Sequence, residues 1–73
     1  MKGEQDMAEV IRRFENELGY TELVKFDSDY AVILHSDFAK VGSFQEYKYK
    51  QDAVATYQFN HWWLVANNKN ISR

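Results

Sequence analysis

The residues best suited to chemistry lie near the middle of the chain: Asp27, Asp29, His35, Ser36 and Asp37. Carboxylates and an imidazole beside one strand end are plausible ligands for a divalent ion. Read from Asp27 as an EF-hand loop, however, the sixth position is Val32 where glycine is needed. The twelfth is Phe38 where a bidentate glutamate is needed. The cluster therefore reads as a turn and a strand-end histidine, and no metal is expected. Nucleophilic catalysis needs a serine or cysteine held against an oriented base. Ser28, Ser36, Ser43 and Ser72 lie in no G-x-S-x-G elbow, and the chain has no cysteine. Gly3, Gly19 and Gly42 stand too far apart to cradle phosphate. Paired carboxylates need a walled cleft, and 73 residues leave little material for one. The expectation is a non-enzymatic protein with no cofactor.

Rings dominate the second half of the chain. Phe44, Tyr47, Tyr49, Tyr57, Phe59, Trp62 and Trp63 fall within residues 44–63, with only His61 among them as a general base. Side chains of this kind supply a core, a contact surface, or both. Residues 44–50 interleave rings with lysines, so Tyr47 and Tyr49 could stack bases while Lys48 meets phosphate. Residues 40–44 carry only a fragment of the RNP1 signature, without its second glycine and aromatic spacing. The balance is also acidic, with a pI near 5.6, where nucleic-acid domains are usually basic. Trp62 and Trp63 are adjacent, so on a strand one faces the core and the other faces outward.

Charge is divided along the chain. Residues 1–37 hold nine acids against four bases, a net −5, and residues 38–73 hold five bases against two acids, a net +3. Glu4, Glu9, Glu15, Glu17 and Glu22 could present carboxylates to a basic groove as phosphate mimics, or simply solvate a helix face. The absence of cysteine, an N-terminus without an apolar core segment, and a longest apolar run of only residues 31–34 lead to the expectation of a cytoplasmic, membrane-free setting. With no disulfide, a domain this small must rely on a ring-rich core, on self-association, or on both.

The elements that must position these residues follow from periodicity. Met7, Val10, Ile11, Phe14 and Leu18 have helical spacing, Asp6 and Glu9 resemble a capping box, and Gly19 suits a helix C′ position. A helix is expected over residues 6–18. Residues 23–26 and 30–35 read as a hairpin with Phe26 opposite Tyr30, and residues 36–43 as a loop. Residues 44–50 read as a strand, and residues 53–59 and 62–66 as a second hairpin turning at Asn60-His61. A rival places a helix there, because Asp52 could cap it and Val54, Tyr57, His61 and Leu64 have helical spacing. β-branched and aromatic content argues for strands instead.

The expected fold is α+β: one domain over residues 1–73, with an N-terminal α-helix packed on a 4–5-stranded antiparallel β-sheet. The alternative is αβββα with a C-terminal helix. Residues 1–5 and 67–73 are expected to fray. The expected core includes Val10, Ile11, Phe14, Leu18, Val24, Phe26, Val32, Leu34 and Trp62. The expected function is binding and modulating or inhibiting another protein. Tyr47, Lys48, Tyr49, Trp63, Glu15 and Glu22 are the expected contacts. Compact, cysteine-free, mildly acidic domains are common among inhibitors carried by phages and other mobile elements, such as anti-CRISPR proteins, which extends the expectation by analogy of composition. Binding of single-stranded nucleic acid is the second expectation. A homodimer through the outer face of the first hairpin is the assembly this pattern allows.

Overall fold

The computed structural model describes residues 8–69. It is a small α+β domain. Among these residues four strands follow one another in a single antiparallel sheet: β1 (Glu9–Glu15), β2 (Tyr20–Phe26), β3 (Asp29–Ser36) and β4 (Val41–Tyr47). One helix, α1 (Lys50–Asn68), then crosses back over one face, mainly above β2 and β3. The N-terminal helix expected over residues 6–18 does not form; Asp6 and Met7 lie outside the described residues, and the remainder is β1 and its turn. The second hairpin does not form either, and residues 53–66 are helical.

A β-bulge explains the helix-like spacing of the first segment. Val10 pairs with Val24, but Arg12, not Ile11, pairs with Leu23. Ile11 is the extra residue, and it shifts the phase of the alternation. As a result Ile11 and Phe14, three apart, both pack against the same core. A spacing of three on one side of a strand looks like a helical stripe.

Gly19 has a different task from the helix cap expected of it. It lies in the β1–β2 turn, where a Cβ would stand 2.0 Å from the His35 carbonyl oxygen and 2.9 Å from Ser36 Cα. Asn16 organises this turn: its Oδ1 accepts from the Leu18 and Gly19 amides at 2.9 and 3.2 Å. Its Nδ2 donates to the Leu64 carbonyl at 3.0 Å, tying the turn to α1. In the β2–β3 hairpin, Phe26 pairs with Asp29 and not with Tyr30. The loop has contracted to Asp27 and Ser28, with Asp27 at φ 51°, a conformation that aspartate tolerates better than most residues. Leu23 therefore pairs with Val32 on the helix side, and Val24 with Ala31 on the other.

Leu23, Val32, Ala53 and Tyr57 form the centre of the core, flanked by Ile11, Phe14, Tyr30, Tyr47 and Val54. Leu18 and Leu64 are also buried. Two expected core residues are corrected: Val10 is 52% exposed at an edge strand and Trp62 is 61% exposed on the outer side of α1. Ala53, Tyr57, Asn60 and Leu64 are the buried side of the helix, a spacing of four, three and four. α1 has no side-chain cap at Tyr49 and no basic residue in its last turn, although Asp52 in its first turn suits the helix dipole. Its stability comes mainly from the face it buries. Asn67 and Asn68, expected in a fraying tail, are its last residues, and Asn67 Nδ2 donates to the Trp63 carbonyl at 2.8 Å. The other residues expected to fray lie outside the described residues, apart from Lys69 beside the helix end.

Candidate functional site

The outer side of α1 carries the largest exposed rings of the helix. Phe59 is 60% exposed and Trp62 61%, with ring centroids 5.8 Å apart. Val65, 41% exposed, continues the stripe one turn on. Gln58, His61, Trp62 and Val65 enclose a shallow, largely apolar concavity. A helix places these side chains together because they recur every three residues, on the side opposite Tyr57 and Leu64. His61, at the margin, stacks on Phe14 at 4.0 Å and meets the edge of Tyr57 at 6.3 Å.

The sheet face turned away from α1 is a second surface, not covered by any other described element. Register sets its rows. Arg13, Glu22, Ile33 and Phe44 form one, and Glu15, Tyr20, His35 and Gly42 the next. Arg13 binds the carboxylates of Glu22 and, at 3.1 Å, Glu15, and its guanidinium lies 4.5 Å from the Tyr20 ring centroid. Hydrogen bonds to Glu15 and Glu22 hold its pKa above the ordinary arginine value. Tyr20 reaches on to His35 at 5.6 Å, and His35 Nε2 lies 2.9 Å from Asp37 Oδ1. This polar corner borders a wide-open concavity where the β1–β2 and β3–β4 turns meet. Among the described residues, no group of three or more His, Cys, Asp or Glu side chains is gathered where an ion could be held.

The residues expected to bind a partner do not converge. Tyr47 is turned toward α1, where it shares a 2.6 Å hydrogen bond with the Thr56 hydroxyl. Tyr49, 63% exposed, is the extended residue just before α1, and exposed Lys48 lies beside Asp29 and Glu46. Trp63 is half-buried on α1, about a hundred degrees round the helix from Trp62. Glu15 and Glu22 share Arg13 on the far side of the sheet. The acids considered as phosphate mimics have no common helix face: Glu9 and Glu15 are on β1, Glu17 is in the turn and Glu22 is on β2, while Glu4 lies outside the described residues. The strand alternation expected of residues 53–66 hides the Phe59–Trp62–Val65 stripe; its spacing of three is the sequence signal that marks it.

No helix among the described residues is long and apolar enough to cross a membrane. No protein-family model matches the chain, and no curated protein or solved structure shows significant similarity to it.

Proposed function

We propose that this chain is a non-enzymatic protein-binding module that modulates or inhibits its partner by occupying it, with the outer side of α1 as the contact surface. One observation carries this: Phe59 and Trp62 lie against each other while about three-fifths of each remains exposed. Large rings held on a rigid helix lose little conformational freedom on binding, and tryptophan is among the residues most enriched at interface hot spots. Inhibitors carried by phages and other mobile elements act by such occupancy, and a cytoplasmic host protein that handles nucleic acid or serves defence is the partner class this analogy suggests.

Nucleic-acid binding has less support. Its ring-and-lysine strand is divided, with Tyr47 committed to α1, and the sheet face turned away from α1 carries Glu15, Glu22 and Glu46. The test is parallel affinity capture with the parent chain, Trp62→Ala and Phe59→Ala. A protein retained by the parent and lost from both variants, each still folded, supports the proposal. Equal capture by all three would refute it, and a salt-sensitive shift of single-stranded oligonucleotide would move the assignment to nucleic acid.

A further inference from the structure

The two edges of the sheet differ in their protection against pairing. β1 is interrupted by the bulge at Ile11, and Glu9, Arg12, Arg13 and Glu15 make most of its residues charged. Both features keep an edge from joining another strand. β4 pairs with β3 over seven consecutive residues without a register shift, and Glu46 is its only charge. It contains no proline, and no described strand pairs with its outer side. α1 starts beyond its end and lies over the sheet face, so no described element covers the outward row of backbone N–H and C=O groups, and that row can act as a template.

The sequence of that edge is complementary to itself. An antiparallel copy centred on Ser43 sets Gly42 opposite Phe44 of the other chain, twice by symmetry. Nothing stands within 4 Å of where a Gly42 Cβ would be, and Phe44 is 56% exposed. A ring laid across the glycine covers both. In the same register Lys40, the last residue of the β3–β4 turn with φ 59°, comes to the end of the paired stretch near Glu46 of the other chain, again twice. Centring the pair on Phe44 would instead set Lys40 against Lys48, an unfavourable like-charge pair.

We propose that a second copy of this chain adds at β4, antiparallel and centred on Ser43. The result is an isologous dimer in which the described strands form one continuous sheet of eight, twice the four described in each chain. The two-fold axis runs perpendicular to the sheet, so both helices lie on the same side. Both Phe59–Trp62 stripes then face one way, and two binding surfaces act as a pair. The dimer does not depend on the identity of any other partner.

The direct measurement is sedimentation of the full chain at concentrations up to about 200 µM, where a dimer should approach twice the 8.7 kDa chain mass. Glu46→Lys should weaken dimerisation about tenfold by placing like charges opposite one another. The register is read with single cysteines, since the chain has none of its own. Ser43→Cys should cross-link to itself on mild oxidation, whereas Gln45→Cys, opposite Val41 of the other copy, should do so about tenfold more slowly. A parent chain that sediments as a monomer throughout, or equal cross-linking at the two positions, would overturn the proposal. Because the sedimentation result uses the unaltered chain, a variant that fails to fold leaves it decisive.

Discussion

Asn60 of α1 donates its side-chain amide to the Thr21 hydroxyl of β2 at 3.3 Å, and both residues are buried. Thr21 in turn donates to the Ile33 carbonyl at 2.8 Å. A polar bond at the helix–sheet contact fixes the sliding position of α1, because a shift by one residue would strand a buried amide. Thr21→Val should therefore lower stability by about 1–3 kcal/mol, since Asn60 loses its acceptor away from water. Adding Asn60→Leu should restore part of that loss by removing the orphaned group. Urea melts of both single variants and the double variant measure the coupling. Strict additivity would mean that the bond contributes nothing to the seating of the helix.

The same residue shows why half the fold was hard to read. Asn60-His61 has the composition of a turn, and Thr56, Tyr57, Phe59, Trp62 and Trp63 favour strands on propensity. Tertiary contact decides otherwise: with Asn60 counted as buried, Ala53, Tyr57, Asn60 and Leu64 complete a helical stripe. A partner on β2 makes that asparagine a core residue, and nothing local announces the partner. In the first segment the Ile11 bulge had the opposite effect, making a strand look helical. The β2–β3 hairpin was legible because Asp27 and Ser28 sit between two β-branched and apolar runs, although its register was misread by one residue. Of the proposed contact surface, the ring content was legible. Which rings face outward was not, because that depends on period.

Gly19 should tolerate no side chain. Its missing Cβ leaves room for the His35 carbonyl, and the obstructing atoms belong to the backbone of β3. Gly19→Ala must part the β1–β2 turn from β3, which would also strain the Asn16 bonds to Leu18, Gly19 and Leu64. A loss of about 3 kcal/mol is expected. Gly42→Ala, where a Cβ meets open space, should change the stability of the single chain by less than about 1 kcal/mol. Thermal melts of the two variants at a concentration that keeps the chain monomeric should separate them clearly. Comparable losses would contradict the close approach at Gly19.

Alkaline pH should expose the burial of Tyr57. Desolvation raises its phenol above the ordinary value of 10.0, against a smaller lowering effect from the Arg12 charge. The folded chain then holds this proton to higher pH than the unfolded chain. By linkage its contribution is fully present below pH 10.0 and declines as pH rises through the folded-state value. Tyr57→Phe keeps the ring in the core and should remove that part of the alkaline decline. Stability measured across the alkaline range should therefore fall less steeply in Tyr57→Phe than in the parent. Parallel profiles would show that the folded and unfolded phenols titrate alike.

Three neighbouring residues of α1 separate packing from binding. Leu64 is fully buried, Trp63 is half-buried and Trp62 is 61% exposed. Leu64→Ala should cost about 2–5 kcal/mol through lost burial and the cavity left behind. Trp62→Ala removes a ring that mainly meets solvent and Phe59, so stability should stay within about 1 kcal/mol of the parent. Trp63→Ala should fall between them. Partner binding should follow another order, with Trp62→Ala weakening capture by at least about tenfold while the domain stays folded. Iodide quenching gives an independent check of the geometry: in Trp62→Phe the remaining fluorescence should be the more shielded, and in Trp63→Phe the more accessible. Reversed quenching would place the wrong tryptophan outward, and with it the binding surface assigned to α1.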